Sequence, residues 1–263
     1  MTQPILWTVD ERGVATITLN RPEVNNAYDG AVVGSLLEAM DHLGRQEALR
    51  AVVLKGNGKH FQAGADLQWI NSVRPRSPDE NEAASRRTFE VVQRLNRVPV
   101  PTVALVHGAC FGGGTGVIAA CDLVIAADDS VFSITEVRWG LTAAIIVPQL
   151  CDAIGVRQVR RYALTGERFD AQEARRIGLV HEVVPLAELE AAGSRAVEQL
   201  LANAPGALAE TKHLALECAL GGKELEDPGW ARLVRLHAAK RQTAEAEEGL
   251  ASFAEKRPAR WRP

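Results

Sequence analysis

The chain has 263 residues, of which 46% are apolar and 24% charged, and its formal net charge is −3. That length supports one sizeable core, or a core with an appended helical piece. The composition is that of an ordinary globular protein, and the charge gives no general attraction to nucleic acid or to an anionic membrane. In chain order, residues 13–20, "GVATITLN", read as a strand in which Val14, Thr16 and Thr18 alternate with Ala15, Ile17 and Leu19. "RPEVNNA" is a turn. Residues 29–45 read as a helix with Val32, Leu36, Leu37, Met40 and Leu43 on one face. "AVVLKG", 51–56, is a short buried strand, and "NGKHFQAGADL" is a loop that enters a helix near Asp66. Residues 74–88 are polar and contain proline, which predicts a mobile loop, with a helix after them to about Arg97. "PTVALV" is the next strand, followed by a glycine-rich turn, a short helix and a strand over 122–127. Beyond about Gly178 strand signals stop, apart from "GLVHEVV", and helices take over, including the segment after Asp227. The expected organisation is β/α units over 1–195 and a helical region over 196–263.

The apolar stretch after Arg97 contains Pro99, Pro101, His107 and Asp122, which argues against a membrane span. The N-terminus, "MTQPILWTVDERG", has early acids and no apolar targeting core, so the expected compartment is the cytoplasm. Cys110, Cys121, Cys151 and Cys218 are spread out and no pair has CxxC spacing. Buried reduced thiols are expected, not a metal site or a disulfide framework.

The stretch "HGACFGGGTGVIAACD", 107–122, sets three glycines between a strand and a helix. A helix N-terminus leaves N–H groups unpaired and carries partial positive charge, and glycines let a ligand come close. Such a turn can cradle an anion, or an oxygen that becomes anionic in a transition state; it can also simply let a helix pack closely on a strand. No Gly-Lys-Ser/Thr follows, so it is not a phosphate-binding P-loop, and the GxGxxG dinucleotide spacing is missing. "HFQAGADL", 60–67, is a second strand-to-helix loop, with Asp66 able to cap its helix. Two such loops can each offer one N–H to a single oxygen.

With these pieces in place the chain resembles the enoyl-CoA hydratase/isomerase, or crotonase, superfamily. The matching segments are "ITLNRPEVNNA", "FQAGADL", "VPTVALVHGACFGGGTGVIAACDLVIAADDSVFSITEVRWGL", "YALTGERFDAQEARRIGLVHEVVP" and "GLASFAEKRPARW", in the family's order and over nearly the whole chain. The resemblance implies an α/β fold, a spiral of ββα units closed by a C-terminal helical trimerisation region, and a homotrimer or hexamer. It implies an acyl-CoA thioester substrate, coenzyme A as part of that substrate, and no other cofactor and no metal. An enolate oxygen would be held by the N–H groups of Ala65 and Gly113. Ala63, Gly64, Ala65, Asp66 and Leu67 would line the coenzyme, with Lys256 reaching its phosphates across the trimer and Phe253 beside it.

Typical hydratases of this family carry two glutamates. The position of the first is Gly116 here, and that of the second is Glu136. "LTAAIIVPQL" stands where the family commonly has "IPGxGGTQRL". The combination resembles the subgroup handling branched, carboxylated enoyl-CoAs of leucine or acyclic-terpene breakdown, the methylglutaconyl-CoA and isohexenylglutaconyl-CoA hydratases. The implied activity is hydration of a 2,3-enoyl-CoA in fatty-acid or leucine degradation. A double-bond isomerase with one glutamate, a dehydratase or decarboxylase of carrier-bound acyl groups, and a CoA-binding pseudoenzyme are the alternatives. His60 and His107 flank the two loops and either pack or touch substrate. Arg138 either meets a substrate carboxylate or pairs with a surface acid. The arginines at 157, 160, 161, 168, 175 and 176 either form solvated helix faces or meet CoA phosphates.

Overall fold

The computed structural model describes residues 3–220, 239 and 243–261, without the side chains of 218–220, 253 and 254. The chain divides into two compact units, Met1–Val197 and Glu198–Pro263.

The first unit is built on two sheets. Strands β1 (Ile5–Val9), β2 (Val14–Leu19), β3 (Ala51–Gly56), β4 (Thr102–Val106), β6 (Leu123–Ala127) and β9 (Glu182–Val184) form a six-stranded sheet in the order β1-β2-β3-β4-β6-β9. Only the β1–β2 pair is antiparallel, with Ile5 opposite Leu19; the remaining pairs are parallel. The short strands β5 (Ala109–Phe111), β7 (Val131–Ser133) and β8 (Phe169–Asp170) form the second sheet, with β5 and β7 parallel. All five residues of β4 are buried, as are four of the five in β6, the near-continuous apolar pattern of parallel strands covered on both faces.

Helices α1 (Gly30–Leu43), α2 (Leu67–Val73), α3 (Pro78–Arg97), α4 (Gly113–Ala119), α5 (Val147–Thr165) and α6 (Ala171–Ile177) complete the core. Helix α1 buries Val32, Val33, Leu36, Leu37 and Leu43, each worth about 1.5–3 kcal/mol when fully covered. Its N-cap is Asp29, whose carboxylate accepts from the Ala31 and Val32 N–H groups.

Three repeats follow one plan. β3 leads to Gln62, which bridges Cys110 of the second sheet, and then to α2; β4 leads to β5 and α4; β6 leads to β7 and α5. Each repeat sends its first strand to the large sheet; the second and third place their next strand in the small sheet, and the first reaches it only through the Gln62 bridge. These are the ββα units that the resemblance implies.

The loop expected over 74–88 is a correction. Helix α3 already starts at Pro78. Ser77 caps it in a reciprocal box with Glu80, and proline takes the first turn, where its missing N–H costs nothing. Polarity misled there because the buried face begins only at Thr88 and continues through Val91, Val92 and Leu95.

Cys110 and Cys121 are buried free thiols and Cys151 is a half-buried one. No helix of the described residues is long and apolar enough to cross a membrane.

Helix α7 (Leu189–Leu201) runs into the second unit, which contains α8 (Pro205–Leu220) and α9 (Ala244–Ala254). Glu245 of α9 accepts from the Gly206 and Ala207 N–H groups at 2.8 and 2.9 Å and so caps α8. The Arg257 guanidinium forks onto Glu248 and, with Arg260, holds its carboxyl well below the usual range, at about 2. Much of the helix expected after Asp227 lies outside the described residues.

Candidate active site

The candidate groups sit in the three turns by which the repeats leave the small sheet or the Gln62 bridge and enter helical structure. Ala63 to Asp66 follow Gln62, Gly112 to Gly114 follow β5, and Thr135 and Glu136 follow β7. Backbone bonds stitch the turns side by side. Gln62 N–H donates to Ala109 O at 3.1 Å, Phe111 N–H to Gln62 O at 2.9 Å, and Gly112 N–H to Ser133 O at 2.8 Å. Gly64, with φ +90°, lets the first two turns approach: a Cβ there would sit 3.2 Å from the Phe111 carbonyl oxygen.

Ala65 and Gly113 are both half-buried on the wall of a cavity of about 460 Å³. Gly113 is the first residue of α4, so its N–H has no partner within the helix. Neither N–H donates to a backbone acceptor among the described residues. Ala63 and Leu67 also line the cavity. Gly64 and Asp66 do not. The Asp66 carboxylate caps α2 through Gln68 and Trp69 and pairs with Arg21 at 3.3 Å, which is a scaffold role.

Glu136 opens a single turn of 3-10 helix and lines the same cavity. Its Oε2 is buried and makes no hydrogen bond. Burial pushes its pKa up, against the Glu136 and Thr135 backbone N–H groups, which hold it down.

The glycine triplet takes its meaning from what faces it. A Cβ on Gly112 would lie 3.2 Å from Glu136 Oε1; one on Gly113, 2.7 Å from Tyr28 Cε1; one on Gly114, 3.0 Å from Gln62 Oε1. Each missing side chain is replaced by a polar one from another element, and Glu136, Tyr28 and Gln62 all line the cavity. Sequence reasoning assigned no role to Tyr28 or Gln62. Tyr28 is the residue after the matching run "ITLNRPEVNNA", and Gln62 lies inside "FQAGADL".

At Gly116, where typical hydratases of the family carry their first glutamate, a Cβ would lie 2.1 Å from Ile146 Cγ2 and 2.3 Å from its Cβ. Ile146, 1% exposed, fills that space.

Lys256 is exposed in the turn after α9, with φ +54°, and belongs to the second unit. The side chain of Phe253 lies outside the described residues. His60 Nδ1 accepts from Ala109 N–H at 3.0 Å, and burial, with Lys59 and His107 nearby, lowers its pKa. His107 Nε2 lies 2.9 Å from Gly58 O. Neither histidine lines the cavity, and both tie loops together. Arg138 rests over the Gly166 turn, also off the cavity wall. Arg161 and Arg176 pair with Glu167 and Glu173 on solvated helix surfaces.

The family model for enoyl-CoA hydratase/isomerase matches residues 10–263. A Thermus thermophilus protein provisionally named an enoyl-CoA hydratase is 37% identical over 96% of this chain and 99% of its own. The hydroxycinnamoyl-CoA hydratase-lyase of Pseudomonas fluorescens is 34% identical over 85% of this chain and 82% of its own. Among solved structures, Pseudomonas aeruginosa AtuE superposes with a TM-score of 0.93 at 35% identity, covering 99% of this chain and 100% of its own. The chain belongs to the enoyl-CoA hydratase/isomerase family and has the crotonase fold.

Proposed function

We propose that the protein is an enoyl-CoA hydratase that adds water across the 2,3-double bond of an acyl-CoA thioester. The observation that carries this reading is the meeting of two unpaired N–H groups and one buried carboxyl on one cavity wall. The Ala65 and Gly113 N–H groups receive the thioester oxygen. As water attacks C3, the π electrons move onto that oxygen, and the two donors stabilise the resulting enolate. Glu136 takes the proton from the attacking water and returns it to C2 as the enolate collapses. One carboxyl on one face makes the addition syn, and no second acid is needed.

An isomerase is the second reading. A lone carboxyl suits a proton moved between two carbons, and a Dictyostelium discoideum dienoyl-CoA isomerase is 30% identical over 94% of this chain. For the acyl group, the cavity wall carries two charged side chains among the described residues, Glu136 and Arg74. The rest of that wall is largely apolar, and Arg74 supports a branched, carboxylated enoyl-CoA of leucine or terpene breakdown. Trimeric or hexameric assembly in the cytoplasm, with Lys256 on the CoA phosphates, completes the proposal.

Glu136→Gln keeps the shape and removes the base, so turnover should fall by several orders of magnitude while CoA binding persists. The wild-type enzyme is tested in oxygen-18 water on 3-methylglutaconyl-CoA, crotonyl-CoA and a 3-enoyl-CoA. Label in a 3-hydroxyacyl product establishes the hydratase. A shifted double bond without label establishes the isomerase. Full activity in Glu136→Gln would overturn both.

A further inference from the structure

Tyr28 joins the two loops that supply the oxyanion N–H groups. Its backbone is bridged to the first: Tyr28 N–H donates to Gly64 O at 2.9 Å, and Asp66 N–H donates to Tyr28 O at 2.8 Å. Its ring lies on the second, where the hydroxyl oxygen is 3.3 Å from the place a Gly113 Cβ would occupy. Trp69 holds the ring edge-on, with centroids 5.9 Å apart. The side chain lines the cavity with Ala65, Gly113 and Glu136. The hydroxyl makes no hydrogen bond with the described residues, and the two other side chains that face the glycine turn each keep a buried oxygen without a partner, Gln62 Oε1 and Glu136 Oε2. A phenol placed in this way is a donor waiting for an acceptor.

We propose that the Tyr28 hydroxyl is a third hydrogen-bond donor to the thioester oxygen, alongside the Ala65 and Gly113 N–H groups. This rests on the hydratase or isomerase reading of the site, since both pass through the enolate. No proton leaves Tyr28: its O–H bond stays intact while the hydrogen bond shortens as the oxygen gains charge. Burial, together with the nearby Glu136 carboxylate, raises the phenol to about 12, so it remains a donor throughout the working pH range. A third donor also offsets the bare Gly116 position, because a better-stabilised enolate asks less of the single acid.

Tyr28→Phe keeps the ring on Gly113 and removes only the hydroxyl. Its kcat should fall roughly 10²-fold, the scale of one lost oxyanion donor, with KM little changed. The direct readout is the infrared C=O stretch of crotonyl-CoA bound to Glu136→Gln, where turnover is stopped. Adding Tyr28→Phe should move that band to higher wavenumber, because the carbonyl is less polarised. Site-specific 3-fluorotyrosine at 28, a stronger donor of nearly the same size, should move it lower; this variant decides the matter if Tyr28→Phe does not fold. An unmoved band in the folded variants overturns the proposal, even if kcat falls, because the loss is then one of packing. Full kcat in Tyr28→Phe overturns it as well. Full activity in Glu136→Gln instead strikes the reading of the site, so the two failures are distinguishable.

Discussion

At the scale of single residues, the proposed chemistry rests on one carboxyl whose surroundings favour its neutral form. As the proposed base, Glu136 would work only when ionised, and burial raises its pKa above the ordinary 4.5. The acid limb of the kcat/KM profile should therefore rise with pH through a midpoint above the usual carboxylate range. The same shift has a consequence for stability. The folded pKa lies above the unfolded one, so folding is favoured most below the unfolded value and loses stability as pH rises through the folded value. Glu136→Gln removes that loss. The variant should melt higher than wild type at neutral pH, and the gain should vanish below the ordinary carboxylate range. A gain that persists unchanged in acid would show that packing, not ionisation, separates the two proteins. The site is thus expected to give up some stability for function.

At the scale of elements, the short helix α4 is fixed by what its glycines leave to others. Gly116 leaves its space to Ile146, which stands at the N-cap of α5. Gly116→Ala should cost about 1–3 kcal/mol by overpacking. Ile146→Gly removes both crowded atoms at a position where glycine is tolerated as a cap, but leaves a void. The double variant should be less destabilised than the sum of the two, which a double-mutant cycle in urea measures. Strict additivity would mean that the two residues do not compete for one space. A glutamate at 116 starts into the same isoleucine and should not improve turnover of crotonyl-CoA. Such pairing was not legible in the sequence, because it depends on which atoms meet across the core. The strands β2, β3, β4 and β6 and the helix α1 were legible from apolar pattern alone. The three-residue strands β5 and β7 are too short to show a period. The start of α3 was legible only in its cap, Ser77-Pro78-Asp79-Glu80, and not in its polarity. The two oxyanion loops could be read as strand, glycine and helix. The particular residues Ala65, Gly113 and Glu136 came from family resemblance, and Tyr28 from neither, since its role is defined by a Cβ that Gly113 lacks.

At the scale of the whole molecule, the described residues of the second unit leave part of their apolar surface open. No residue of α8 from Pro205 to Glu217 is fully buried, although the helix carries Leu208, Leu214 and Leu216. In α9, Leu250 is 68% exposed. A face of this kind on a helical unit is the ordinary mark of an interface between copies. A homotrimer, or a pair of trimers, would cover it, and light scattering on the full chain should report that mass. Lys256 adds a functional consequence. Its ammonium is exposed on the same unit, and it is held in a left-handed turn that few non-glycine residues adopt. If it meets the CoA phosphates of a neighbouring copy, Lys256→Ala should weaken acyl-CoA binding, and the deficit should shrink as salt rises, because salt already screens the contact in the wild type. Turnover at saturating substrate should be nearly unchanged, since the contact is remote from the thioester. A stable monomer that binds acyl-CoA with the full chain's affinity would remove both the assembly and the role of Lys256. A trimer in which Lys256→Ala binds normally would leave the assembly standing and place the phosphate contact on another cation.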